Sequence, residues 1–448
     1  MTKINEDHRR ELSRAIASWY VRKDNKYYRV DAPDAAISLS DVKQASFARI
    51  RREFPHIELD IDLLRAAFKV AFGLYPEDPS EAISPWSGRL VSRPGDSRRI
   101  MLEDGFATIN LWRPPVYRDR RGNAADWGAT GELLEWLIPD ESTRRHVTDW
   151  IAWNLQNEAD RPTWSLFLHS KAKGTGKSLL CQVLEALFGA ANTTSQNGIT
   201  KLTGRFNTTV LLSKLVVCEE VKLKQGSSAA NDLKTFISEP RVLVEQKGQE
   251  AYQTDQHCCF VFTSNHLPLW LEADDRRYFI VDVEHEGHAS GPRTEAFQQV
   301  VRRVQEQIND PVALGALYNA LIHHEVAEGF NAKSLNTTIH ATPIMRLIQD
   351  SSRQVSTERL EEYLNRRDQN FITQSDLVHY VQSTMHANTE TIRHKMLELG
   401  WHKVSVKWDG VDYARVVWLR PGHSAQRGEV VGPDGSRQPI SDDVEVDL

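Results

Sequence analysis

The chain has 448 residues and a formal net charge of −6, a length that fits roughly three domains. Hydrophobic residues make up 40% and charged residues 26%, the balance of a soluble protein able to build a sizeable core. This excludes an overall basic field that recruits nucleic acid, so any such site must be a local patch.

Residues 1–99 read as an α+β domain. A charged helix leads into Trp19 to Val30, two aromatic strands around Asp24-Asn25 that suggest a β-hairpin. The mixture of aromatic and basic residues there reads as a half-buried hairpin rather than a nucleic-acid surface. A helical pattern follows at Leu63 to Phe72. Residues 86–130 are rich in Pro, Gly and Arg and read as irregular and strand structure. Residues 131–157 read as helical, with Asp140 as a cap and Val147, Trp150, Ile151 and Asn154 on one face. Residues 100–160 are assigned as a helical collar.

Trp164 to Leu168 is a short apolar run, as a buried strand is. A loop with Gly174 and Gly176 follows, then Lys177-Ser178, then a helix with Leu180, Val183, Leu184 and Leu187 on one face and Gly189 as its stop. Strand, glycine loop, Gly-Lys-Ser and helix form the layout of a phosphate-binding loop. Backbone N–H groups of Lys173, Gly174, Thr175, Gly176 and Leu179 would surround the phosphates of ATP. Lys177 would reach the β- and γ-phosphates, and the Ser178 hydroxyl would bind Mg²⁺. One position departs from the full pattern: Lys171 stands where a first glycine is usual.

Leu215 to Cys218 reads as a second buried strand ending in Glu219-Glu220. One carboxylate there can serve Mg²⁺ and its neighbour can polarise the attacking water. A strand–turn–strand pattern around Lys247-Gly248 comes next. Cys259 to Phe262 is a third buried strand, ending in Thr263-Ser264-Asn265, where an Asn can hold the lytic water. Asp275-Arg276-Arg277 then leads into another strand. Arginine supplies fixed, delocalised positive charge for a phosphoryl transition state. The four cysteines, Cys181, Cys218, Cys258 and Cys259, sit in apolar runs without a C-x-x-C pair. They read as reduced core residues of a cytoplasmic protein, and no zinc site is expected. No run has the length of a membrane span, and the N-terminus shows no signal-peptide pattern.

In this order, Asn110 to Pro115, Asp149 to Trp153, Gly174 to Ser178, Cys218 to Glu220, Glu245 to Gly248, Thr263 to Asn265 and Asp275 to Arg277 resemble the landmarks of superfamily-3 helicases, in their phage and plasmid primase-helicase branch. The resemblance implies an AAA+-like P-loop ATPase domain over 161–335 that assembles as a homo-oligomeric ring, usually a hexamer. It implies that Glu219 joins Ser178 at Mg²⁺, that Glu220 activates water, and that Asn265 senses the γ-phosphate. Arg276 or Arg277 would reach into the neighbouring subunit's site. Lys247, with Gly248 at a hairpin tip, would grip single-stranded DNA in the ring channel.

Helical patterns fill 343–366. Two further helices, with a turn at Met385 to Asn388 and Gly400 as the stop, precede strands on either side of Asp409-Gly410. Residues 336–421 are therefore expected to form a winged helix. Arg393 and Lys395 on its second helix, with Lys403 and Lys407 on the wing, are candidate contacts to duplex DNA. Residues 422–448 read as a disordered tail.

The fold class expected is α/β, an AAA+-like P-loop core with a mixed N-terminal domain and a C-terminal winged helix. The function expected is an ATP-dependent, ring-forming DNA helicase of a mobile genetic element, with any primase or polymerase supplied by a separate chain. Two alternatives stay open: an origin-binding initiator whose ATPase drives assembly or local melting, and a nucleotide-switched DNA-binding scaffold.

Overall fold

The computed structural model describes residues 4–441, apart from 206, 225–226, 246–249, 272–274, 284–287, 289 and 382–388. Among the described residues, two compact units separate. One holds 1–223, 227–268 and 275–345; the other holds 224–226, 269–274 and 346–448. The expected N-terminal, collar and ATPase segments thus share one unit.

That unit opens with α1 (Glu6–Trp19), β1 (Tyr20–Lys23), β2 (Lys26–Arg29), β3 (Ala36–Ile37), α2 (Leu39–Glu53) and α3 (Ile61–Ala71). Asp24 and Asn25 both have positive φ, 51° and 58°, as a two-residue hairpin turn of this type requires. Leu12, Ile16, Val42, Ile50, Leu63 and Ala67 close a small core beneath the hairpin. Next come β4 (Trp86–Val91), β5 (Ile100–Glu103) and β6 (Phe106–Asn110), with β6 central in their sheet. The expected boundary at residue 99 runs through this sheet. The boundary was illegible because the Pro/Gly/Arg composition between β4 and β5 resembles a linker. Val21, Val30, Trp86 and Ile109 pack in one cluster with Leu212, joining this region to the next.

Helices α4 (Gly128–Leu137) and α5 (Glu141–Gln156) follow. Asp140 caps α5 by accepting from the Thr143 N–H at 2.7 Å. Then come β7 (Ser165–His169), α6 (Lys177–Phe188), β8 (Thr193–Asn197), α7 (Thr200–Thr203), α8 (Thr208–Leu211), β9 (Leu215–Glu219) and α9 (Ser228–Ser238). The β10 (Arg241–Val244) and β11 (Tyr252–Asp255) hairpin follows, then β12 (Cys259–Ser264), β13 (Tyr278–Asp282), α10 (Thr294–Asn309) and α11 (Pro311–Ile322).

Five strands form one sheet in the order β13-β7-β12-β9-β8, and every pairing is parallel. β7 and β12 are buried along their whole length, as strands covered on both faces are. All four cysteines are free and buried. Burial raises their thiol pKa values, to about 12 at Cys218 and about 11 at Cys259.

The second unit contains most of α12 (Pro343–Arg366), then β14 (Phe371–Thr373), α13 (Gln374–Tyr380), α14 (Thr389–Glu398), β15 (His402–Val406) and β16 (Arg415–Leu419). Its sheet runs β14-β16-β15. The turn at Met385 to Asn388 lies outside the described residues. The expected β15–β16 hairpin forms, and its connection carries a turn at Asp409-Gly410, where the Val411 N–H donates to Trp408 O at 3.3 Å; Trp408 and Val411 themselves fold back into the core. One feature differs from expectation: residues 422–441 are not a disordered tail. They form β17 (Ser424–Gln426), β18 (Glu429–Val431) and β19 (Arg437–Pro439), a separate antiparallel sheet. Arg427 and Gly428, with φ of 52° and 82°, make its first turn. Val430 and Ile440 bury against Phe371, Trp408 and Leu419; two apolar side chains among polar ones were too few to signal strands.

Buried His146 on α5 stacks between Trp164 and His340. Desolvation, with the nearby His340, lowers its pKa from 6.5 to about 4. The folded state therefore binds fewer protons than the unfolded chain between those values, and stability rises with pH across them. Stability is expected to be full above pH 6.5 and to fall by about 3 kcal/mol as pH drops towards 4. Urea titrations should show this slope reduced in His146→Phe; an identical slope in both proteins refutes the assignment.

Candidate functional site

The site forms where β7, β9 and β12 end and α6 begins. Gly174 and Gly176 have φ of 72° and 97°. A Cβ on Gly176 would lie 2.8 Å from Leu137 Cδ2 and 2.9 Å from Phe297 Cζ. The loop is therefore braced from behind by α4 and α10, and only glycine fits. No side chain caps α6, so its first-turn N–H groups remain available to an anion. Lys171 and Lys173 are exposed on the loop, while Thr175 is buried.

Lys177 is 8% exposed. Its Nζ donates to Ser170 Oγ and, at 2.8 Å, to Asn265 Oδ1. Desolvation lowers its pKa, with Glu220 the first opposing charge. Asn265 Nδ2 in turn donates to Glu220 Oε1 at 3.2 Å. Ser178 Oγ donates to Glu219 Oε2 at 3.0 Å. The structure thus brings together Lys177, Ser178, Glu219, Glu220 and Asn265. Glu220 has φ of 54°, a region that costs a non-glycine residue energy and that concentrates at working sites. The acidic strand β9 is not next to the loop strand β7. β12 lies between them, and this is why Asn265 can bridge the lysine to the acid.

The residues present fit both a nucleotide and its metal. The uncapped helix and Lys177 suit phosphates. The Ser178 and Glu219 oxygens are hard donors of the kind Mg²⁺ takes. Leu179 is buried, so only its backbone faces this chemistry.

Ser170 was not singled out from sequence. Its hydroxyl donates to Ala172 O at 2.8 Å and lies 3.1 Å from Thr175 Oγ1, closing the loop start that Lys171 does not shape as glycine would. His169 and Asp282, also missed, pair at 2.7 Å at the ends of β7 and β13. A hydroxyl directly after a buried strand was the available signal for Ser170; the His169 pair needed the strand order.

Arg277 is held in place. Its Nε donates to Ser238 Oγ at 2.8 Å, and its guanidinium pairs with Asp275 at 3.4 Å. Arg276 is exposed and has no hydrogen bond or ion pair among the described residues. Lys247 and Gly248 lie outside the described residues. The hairpin below them is fixed: Thr208 Oγ1 donates to Glu245 O at 2.8 Å, and Tyr252 OH donates to Leu90 O at 2.8 Å. In the second unit Arg393, Lys403 and Lys407 are exposed. Lys395 is 6% exposed, so its proposed contact to DNA is not supported. It lies beside Ile392 and Met396 on the helix face turned to the core.

A family model described as a family of unknown function (DUF5906) matches residues 168–277, from the end of β7 to Arg277. The DNA primase-polymerase of Nitratiruptor phage NrS-1 is 25% identical over 213 residues, covering 45% of this chain and 29% of that protein. The chain thus spans under a third of the length of that curated relative. The apo structure of the NrS-1 C-terminal region, residues 305–718, aligns with a TM-score of 0.55 at 16% identity, covering 93% of this chain and 100% of that one. The A form of that region gives a TM-score of 0.54 over 92% and 99%. These likenesses show a shared fold.

Gly176→Ala is expected to cost about 1–3 kcal/mol and to block nucleotide binding. Gly95→Ala is the control, since its φ is 86° but nothing lies within 4 Å of its Cβ. Thermal melts that shift equally for the two variants refute the bracing by α4 and α10.

Proposed function

We propose that the chain is an ATP-driven DNA helicase of the superfamily-3 kind, from a mobile genetic element, working as a ring of identical subunits, by that resemblance a hexamer. One observation carries the reading. A buried ammonium, a strand-end amide and the Glu220 carboxylate form one hydrogen-bonded chain, and Ser178 donates to the Glu219 carboxylate, beside an uncapped helix N-terminus. The similarity to a phage DNA primase-polymerase supports a replication setting, with a separate primase or polymerase as partner.

In this reading the triphosphate takes Lys177 from its neutral oxygen partners. Mg²⁺ at Ser178 and Glu219 would neutralise charge on the β- and γ-phosphates. Glu220 accepts the proton of the attacking water, and Asn265 orients that water. Arg276 is the better candidate for the finger into the neighbouring site, because Arg277 is already bound to Asp275 and Ser238. Such fingers contribute about 10³–10⁵ in rate in other NTPases. Lys247 and Gly248 hold single-stranded DNA on a hairpin clamped at its base. Residues 346–421 act as a winged helix, with Arg393, Lys403 and Lys407 towards duplex phosphates.

Lys177→Ala should abolish ATP turnover and nucleotide binding; wild-type turnover refutes the site. Lys247→Ala should lower strand displacement on forked DNA at least tenfold, and full displacement refutes the grip.

Arg276→Ala and Glu220→Ala proteins, each inactive alone, should recover ATPase when mixed, because half of the mixed seams keep both groups. The same mixture made with Arg277→Ala identifies the finger. Absence of recovery at every ratio in both mixtures places the arginine within its own subunit's site.

A further inference from the structure

A second charged site lies far along the chain from the phosphate loop. A cavity of about 470 Å³ is lined by Trp19, Asp31, Arg49, Arg98 and Arg99, with Ser18, Val30 and Ile100 completing the wall. It draws on the ends of α1 and β2, the middle of α2 and the start of β5. Its size is that of an ordinary small-ligand pocket.

The charges do not cancel. Arg99 is half-buried and, among the described residues, donates to backbone carbonyls alone, those of Asn110, Trp112 and Val30. Burial, reinforced by Arg113, lowers its pKa to about 10. A guanidinium held without a carboxylate in contact is costly. Asp31, the acid in the wall, is already held bidentately by Arg29, at 2.9 Å twice. Arg113 donates to the Asp31 carbonyl, not to its carboxylate. Arg49 lies over the Trp19 ring, 4.2 Å from its centre, and pairs with Glu53. Arg98 pairs with Asp96. Three arginines, Arg49, Arg98 and Arg99, thus line the cavity with one carboxylate, that of Asp31, which Arg29 already takes, in a chain whose net charge is −6. The Arg49 and Arg98 pairs are surface pairs, weak enough to exchange for another anion.

We propose that this cavity seats a phosphate of a single-stranded nucleic acid, held by Arg49, Arg98 and Arg99. Guanidinium forks match phosphate oxygens. A strand suits the site better than a free nucleotide for two reasons. Trp19 is 7% exposed and covered by Arg49, so no aromatic face is open to stack a base. Arg29 and Arg113 extend the positive charge beyond the cavity, along the path of a backbone. Such contacts position a strand without reading its sequence. The inference rests on the DNA-handling part of the proposed function and not on hydrolysis.

The test is fluorescence anisotropy of a labelled oligothymidylate with the full chain across a salt series. Arg49→Ala/Arg98→Ala should weaken binding about tenfold. It should also reduce the slope of log affinity against log salt by about 0.7, the contribution of one single-strand phosphate contact. Arg49→Lys/Arg98→Lys should keep the slope and lose about threefold in affinity through loss of the forks; it is read instead if the alanine pair melts early. Unchanged affinity and slope in both variants overturns the site. Residual ATP binding in Lys177→Ala that disappears with the arginine pair, while DNA binding persists, also overturns it in favour of a free nucleotide. A wild-type chain that binds no oligothymidylate overturns both this site and the proposed function.

Discussion

The candidate site depends on a buried ammonium that has no carboxylate in contact among the described residues. Lys177 is held by Ser170 and Asn265, both neutral, although Glu219 and Glu220 stand at the end of β9, two places from the loop strand β7. Removing an ammonium from water costs several kcal/mol unless a counter-charge arrives. The arrangement thus stores a demand for an anion. The demand is kept in place by apolar packing: Leu137 and Phe297 press on Gly176, so the loop cannot relax away from the helix. Hydrophobic contacts from α4 and α10 thereby set the position of a charge.

Much of this was legible because it is written locally. A mostly apolar strand, two glycines and Lys177-Ser178 follow one another closely, and their chemistry follows from spacing alone. Glu219, Glu220 and Asn265 were readable as the polar ends of apolar runs. The bridge from Lys177 through Asn265 to Glu220 was not, because it depends on β12 lying between β7 and β9. Strand order is a non-local property. The same reason hid the His169–Asp282 pair, whose members lie 113 residues apart.

The C-terminal unit was less legible. β14 is three residues long, and each strand of the last sheet is three residues long. Periodicity needs more residues than that to be visible. Lys395 misled for a different reason. Its charge suggested solvent, but its place between Ile392 and Met396 on α14 turned it to the core, where a long alkyl stem is tolerated. Positive charge gathers in the phosphate loop, at Lys171, Lys173 and Lys177, and at the α2–β5 cavity, although the chain's net charge is −6.

The Tyr252 hydroxyl has a mechanical consequence. It donates to Leu90 O and accepts from Leu90 N, which ties the β10–β11 hairpin to a strand 162 residues upstream in the chain. Leu90 itself belongs to the apolar cluster around Trp86 and Ile109. A load on β10 and β11 is therefore passed through the Tyr252 phenol, alongside the Thr208–Glu245 bond, into the hydrophobic interior of the N-terminal half, which gives the hairpin the anchorage of a lever.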